Sequence, residues 1–182
     1  MEPDAQQRTF GTGTITLLRA DITTLDVDAI VNAANSSLAG GGGVDGAVHR
    51  AGGAQIMREL RERYDGCPTG SAVITGAGEM LARHVIHAVG PRWRDGNHGE
   101  PDLLRSAYRT AFSIAADHGL TTVAAPSIST GIYGFPVALA APIAVGEARV
   151  ALEAPETSLR EVTFALFSGG DLDVFSEALA SL

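Results

Sequence analysis

The sequence contains no lysine: its thirteen basic residues are all arginine, set against twenty-one acidic ones, for a formal net charge of −8. That absence excludes a P-loop, whose G-x-x-x-x-G-K-[ST] signature places a lysine on the phosphates. The acidic balance excludes broad, charge-driven binding of nucleic acid, which depends on basic surface. One small anion is still admissible, because backbone dipoles act locally while salt screens distant charge. A single cysteine, Cys67, excludes an internal disulfide framework and suits a reducing compartment. Apolar runs are short, and none approaches the roughly 18 residues of a membrane span. The opening residues MEPDAQQR lack the apolar core of a secretory leader. The expectation is a soluble, cytoplasmic, monomeric protein with no membrane partner.

What is present fits one domain. The chain has 182 residues, and a chain of this size buries roughly 70% of its unfolded surface without needing a staple. Its 22 glycines and 45% hydrophobic content suit an α/β protein with open loops. Residues 1–8 are polar and read as a flexible tail, with a single domain over 9–182. Strands are predicted at 14–18, 29–34, 72–75, 84–89, 122–125 and 162–167. Helices are predicted at 45–51, 54–64, 102–118, 137–152 and 173–179. Pro142 and Gly146 imply a late start or a kink in the fourth helix. Strands alternating with helices imply a largely parallel sheet covered on both faces. Ligands of such sheets sit at the carboxyl ends of the strands. Three polar or glycine-rich segments follow strands, at 20–23, 32–46 and 127–134, and are expected to converge on one cleft.

The most informative segment is IVNAANSSLAGGGGVDGAVHRAGG, residues 30–53. Its glycine run lies between a strand and a helix start, where bare backbone N–H groups can converge on an anion. Asn35 and Asp45 bracket the run with an amide and a carboxylate. Gly41 to Gly46 matches G-x-G-x-x-G literally, but six residues separate it from the strand and no acidic residue ends a second strand, so a nicotinamide site is not expected. The second unusual loop, Ser127 to Pro136, combines hydroxyls, glycines and two aromatics, as a phosphate cradle beside a sugar requires. Asp21 has a plain alternative as a turn cap, and Asp45 as N-cap of a helix starting at Gly46. Asn32 is read as an anchor for neighbouring loops. His84 and His87 are three apart on a strand and so point to opposite faces. With His49, His98 and His118 scattered and Cys67 alone, no metal and no cofactor is expected.

Together these blocks resemble a macrodomain of the MacroD type. The resemblance rests on Asp21-Ile22-Thr23, Val27 to Ser36, Gly40 to Gly46, Pro68-Thr69-Gly70, Ile86 to Pro91 and Ser127 to Pro136, in the family's order. Ala20 stands where the family usually has glycine, and Ala51-Gly52-Gly53 where it usually has Ala-Ala-Gly. The resemblance implies a three-layer α/β/α sandwich around a mixed, largely parallel sheet that binds ADP-ribose. It also implies hydrolysis of esters on the distal ribose, in O-acetyl-ADP-ribose or in mono-ADP-ribosylated targets.

Carried over by position, Asp21 would accept the adenine amino group, with Ile22 beside the base. Gly43, Val44, Ser129, Thr130, Gly131 and Ile132 would wrap the diphosphate, Tyr133 would pack on the distal ribose, and Phe167 would lie near the adenine. Asn35 would hold ribose hydroxyls, and Asp45 would be the catalytic carboxylate. A module that binds ADP-ribose without cleaving it, or a phosphatase acting on ADP-ribose 1″-phosphate, would use the same pocket. The partner is thus ADP-ribose or an ADP-ribosylated protein, small molecule or nucleic acid.

Overall fold

A computed structural model describes residues 6–182. It opens with a hairpin in which β1 (Gln6–Phe10) runs antiparallel to β2 (Gly13–Arg19). Residues 6–8, expected in a loose tail, are therefore paired, opposite Leu17, Thr16 and Ile15. The strand is polar because it forms an edge. Its one inward residue is Phe10, and Arg8 lies over the Phe10 ring while donating to the Leu179 carbonyl. Residues 1–5, the rest of the expected tail, lie outside the described residues.

A single 3₁₀ turn (Ile22–Thr24) leads to β3 (Ala29–Ala34), α1 (Gly43–Gly52), α2 (Ala54–Arg63), β4 (Ala72–Gly76) and β5 (His84–Val89). Then come α3 (Glu100–Asp117), β6 (Thr122–Ala125), α4 (Val137–Glu153), β7 (Glu161–Leu166) and α5 (Gly169–Ala180). The strands form one sheet in the order β1-β2-β7-β6-β3-β5-β4. The five inner strands are parallel and both edges antiparallel. One sheet face (Ile15, Leu17, Val31, Val123, Phe164) packs on Tyr108, Phe112 and Phe175 of α3 and α5 and on the alanines of α4. The other (Ile30, Val85, Ala124) meets Val48 of α1 and Ile56 and Leu60 of α2. This is the expected three-layer α/β/α sandwich.

Helix starts differ from the expectation for local reasons. Helix α3 begins at Glu100 because Pro101 is tolerated in a first turn. Helix α5 begins at Gly169 because the Ser168 hydroxyl accepts from Asp171 N–H, 3.1 Å away. Helix α4 starts directly after Pro136 and continues through Pro142, so the late start does not occur. Pro142 removes one intrahelical bond, which the flanking buried alanines and the packing on α3 and α5 outweigh. Gly52, where the family usually has alanine, has no room for a Cβ, because Ile56 occupies that space. Among the described residues, no helix is long and apolar enough to cross a membrane.

Candidate active site

A cleft of about 310 Å³ opens at the carboxyl ends of β3, β5 and β6. The expected residues Asn35, Gly43, Val44, Asp45, Ser129, Gly131, Ile132 and Tyr133 all line it. Thr130 stands behind them, its hydroxyl donating to Ser127. Asp21 and Ile22 do not line the cleft. Asp21 caps the 3₁₀ turn, accepting from the N–H and hydroxyl of Thr23 at 3.0 and 2.7 Å. Ile22 is buried in the core beneath α1 and α2. Two of the three expected segments therefore converge on this cleft, and the loop after β5, with Gly90 and Arg92, supplies its third wall. Phe167 is 83% exposed just past β7, outside that lining.

Asp45 is not a helix cap. Helix α1 starts two residues earlier at Gly43, after Gly42 as N-cap, which puts Asp45 inside the first turn and turns its side chain toward the sheet. One carboxylate oxygen, Oδ1, accepts from Asn32 Nδ2 at 2.8 Å and lies 3.3 Å from His49 Nε2. The other, Oδ2, lies 3.5 Å from where a Cβ on Gly41 would project, and Asn35 Nδ2 is 3.9 Å from the same point, all three residues lining the cleft. Burial pushes the Asp45 pKa up, but the bonds from His49 and Asn32 and the nearby imidazoles outweigh it, holding the carboxyl below its ordinary range. Asp45 is therefore ionised at neutral pH.

Beneath it lies a polar column that the sequence did not reveal. Strands β3 and β5 pair with Asn32 opposite His87, and Thr75 of β4 sits diagonally across from His87. All three are buried. Asn32 Nδ2 lies 3.2 Å from His87 Nδ1, and His87 Nε2 lies 2.9 Å from the Thr75 hydroxyl. Burial foremost, aided by His49, pulls the His87 pKa down to about 4, so the ring is neutral. Since Asn32 donates to Nδ1, the ring proton sits on Nε2 and goes to Thr75, whose hydroxyl donates onward to the Gly76 carbonyl at 2.8 Å. Within the column only the Asn32 amide donates toward Asp45; the His87 and Thr75 donors point away from it, and the second group beside the carboxylate, His49, comes from α1. Asn32 thus anchors Asp45, not neighbouring loops.

The walls are backbone-built. Gly42 offers no side-chain cap to α1, so the first-turn N–H groups of the helix face the cleft region bare. Gly43 has a positive φ of 57°, which suits glycine, and open space where a Cβ would project. Asn35 ties its own loop shut: Nδ2 donates to the Gly40 carbonyl at 2.9 Å, and Oδ1 accepts from Ser37 and Ala39. Among the described residues its second amide hydrogen meets no acceptor. On the opposite wall Ser129 is held at φ 68° with its buried hydroxyl unpartnered among the described residues. Gly90 packs so closely against Ser129 and Ile128 that a Cβ there would overlap both. Arg92 stacks on the Tyr133 ring at 5.1 Å, and Trp93 N–H donates to the Tyr133 carbonyl, so the β5 loop braces the Ser127–Pro136 connection.

Of the remaining histidines, His84 and His87 do face opposite ways. His98 is less isolated than its spacing suggests, with Asp95 and Glu100 within 4.8 Å. Glu100 already accepts backbone N–H bonds from Arg94, Asp95, Gly96 and His98, which commits it to holding that loop.

An α/β/α sandwich with a glycine-walled cleft at the parallel strand ends and an aspartate on the first helix defines a macrodomain. The Macro domain family model matches residues 31–144, and the chain belongs to that family. It is 55% identical over 171 residues to a macro domain-containing protein of Caldanaerobacter subterraneus subsp. tengcongensis, covering 92% of this chain and 97% of the relative. It is 50% identical over 168 residues to O-acetyl-ADP-ribose deacetylase 1 of Pantoea vagans, covering 91% and 98%. Among solved structures, an Oceanobacillus iheyensis macrodomain variant with ADPR superposes with a TM-score of 0.91 at 35% identity over 97% of each chain. The Trypanosoma brucei macrodomain in complex with ADP-ribose gives 0.84 at 40% identity, covering 91% of this chain and 68% of that one.

Proposed function

We propose that this protein binds ADP-ribose and hydrolyses an ester-type linkage on its distal ribose, in O-acetyl-ADP-ribose or in a mono-ADP-ribosylated carboxylate. The observation that carries the reading is Asp45: an ionised carboxylate pinned through one oxygen and open to the cleft through the other, beside the second amide hydrogen of Asn35. The macrodomain structures solved with ADPR and ADP-ribose, and the relative named a deacetylase, support the ligand and the linkage.

In this reading the bare N–H groups of α1 and the loop around Ser129, Thr130, Gly131 and Ile132 receive the diphosphate, through bonds about twice as strong as neutral ones. Val44 and Tyr133 flank the sugar and phosphate, and Asn35 donates to a ribose hydroxyl. Asp21 and Ile22 stand at the adenine end, beyond the cleft's lining. Asp45 accepts a hydrogen bond from a water and aims its lone pair at the ester. The water oxygen bonds to the acyl carbon, the bond from that carbon to the ribose oxygen breaks, and the ribose oxygen leaves with a proton. A carboxylate with a lowered pKa is a weak base, so Asp45 orients the water while the substrate diphosphate shares in taking its proton.

The test is incubation of the protein with O-acetyl-ADP-ribose and with a carboxylate-linked mono-ADP-ribosyl peptide, following free ADP-ribose. Release from either supports a hydrolase. Saturable ADP-ribose binding without release would make the protein a binding module.

A further inference from the structure

Beside the active-site cleft lies a second hollow of about 520 Å³, and Asn35, Gly90, Arg92 and Tyr133 line both. Its outer walls carry Arg94 and His98 on one side and the hydroxyls of Ser36, Ser37 and Thr69 on the other. Arg92 and Arg94 are exposed, and among the described residues neither guanidinium meets a carboxylate within salt-bridge distance. The one carboxylate that lines the hollow, Glu100, and its neighbour Asp95 are already engaged. Glu100 is buried under four backbone N–H bonds, and Asp95 accepts from Asn97 N–H and the His98 ring. In a chain of net charge −8, this hollow therefore holds two guanidinium groups that have no acidic partner among the described residues, at one end of the proposed catalytic cleft.

We propose that the hollow is an acceptor subsite, which takes an acidic peptide segment around the esterified side chain, with Arg94 and Arg92 receiving carboxylates that flank it. The inference rests on the ester hydrolysis proposed above, which places the distal ribose at Asn35 and Tyr133, two of the four residues the clefts share. A planar guanidinium matches a carboxylate through two parallel N–H bonds, which is how arginine clusters read acidic motifs. The serine and threonine hydroxyls opposite suit peptide carbonyls and N–H groups. Nucleic acid fits less well, because bases need open aromatic faces. One face of Tyr133 is covered by Arg92, and Trp93 packs against Phe135 with ring centres 4.7 Å apart.

An acetyl group is too small to reach Arg94, so O-acetyl-ADP-ribose serves as the internal control. The experiment compares kcat/KM for four substrates in the wild type and in Arg94→Glu: O-acetyl-ADP-ribose, a glutamate-linked ADP-ribosyl peptide with acidic flanks, the same peptide with neutral flanks, and an oligonucleotide carrying ADP-ribose on a terminal phosphate. Arg94 is exposed and its loop is held through backbone N–H bonds, so Arg94→Glu should keep the wild-type Tm. The wild type is expected to favour the acidic peptide by roughly fivefold, about the upper end for an exposed ion pair. Arg94→Glu should abolish that preference and leave the acetyl ester unaffected, and Arg94→Lys should retain part of it. The preference should also fade at 1 M salt, where the screening length is about 3 Å. Equal wild-type rates on the two peptides, or a preference that survives Arg94→Glu, would overturn the subsite alone. A faster, Arg94-dependent release from an oligonucleotide carrying ADP-ribose on a terminal phosphate would overturn it in favour of nucleic acid. A wild type that hydrolyses none of the esters overturns the hydrolase reading and the subsite with it.

Discussion

Asn32 contributes both hydrogens of one amide, one to Asp45 and one to His87, so its orientation is fixed by two acceptors at once. Rotating the amide would set its oxygen against the Asp45 carboxylate, which the charge forbids. Asn32→Ala should therefore cost about 1–3 kcal/mol in urea unfolding, the penalty for stranding buried polar groups. It should also lower turnover, since Asp45 loses its shortest bond. His87 adds a pH dependence whose sign follows from its burial. Its pKa is about 4 folded, against 6.5 in the unfolded chain, so between those values only the unfolded state holds the proton. Stability is thus full above pH 6.5 and declines as pH falls toward 4. Asp45 acts lower, its stabilisation being present above its unfolded pKa near 4 and lost only in stronger acid. Tm measured from pH 7 to pH 4 should fall in the wild type, and His87→Gln should flatten that slope. An unchanged slope in the variant would remove His87 from this account.

At the scale of elements, the glycine loop works through close approach at one position and positive φ at another. A Cβ on Gly46 would lie 2.7 Å from the Gly41 carbonyl, so the first turn of α1 and the glycine run fit only without it. Gly46→Ala should cost about 1–3 kcal/mol, as overpacking does, and weaken ADP-ribose binding by shifting the loop. Gly146, inside α4 with nothing within 4 Å of its Cβ direction, is the control. Gly146→Ala should add about 0.5–1 kcal/mol and leave binding alone. Calorimetric titration with ADP-ribose and urea unfolding check both.

These elements also mark how far the sequence could be read. Strands β3, β5 and β6 were legible to the residue, because short, mainly apolar runs bounded by glycine, proline or charged and amide residues have sharp edges, even with Asn32 and His87 inside them. Strand β1 was not, since QQRTF has no alternation a solvent-facing edge would require. Asn35, Asp45 and the two loops were legible as unusual composition. The column of Asn32, His87 and Thr75 was hidden because it depends on strand register, which a single sequence does not disclose. Arg92 was hidden in a loop whose polar composition looked generic. Asp21 was legible in two ways, and the capping role is the one with bonds in this structure.

For the whole molecule, the parallel core of the sheet is what gathers these parts. Strands β3, β5 and β6 end side by side, so three loops distant in sequence meet over one cleft without any one of them being long. The net charge of −8 is compatible with an anionic ligand because backbone N–H groups and two guanidinium groups set the local field. The fold and the glycine walls would serve a binding module equally well, so the enzymatic claim stands on the carboxylate above the polar column. The most direct measurement is the single-turnover rate of ADP-ribose release from O-acetyl-ADP-ribose by the wild type and by Asp45→Ala, with ADP-ribose affinity determined for both. The account predicts release by the wild type, a drop of ~10²-fold or more in the variant, and ADP-ribose binding that survives the substitution. Equal rates in the two proteins would contradict it.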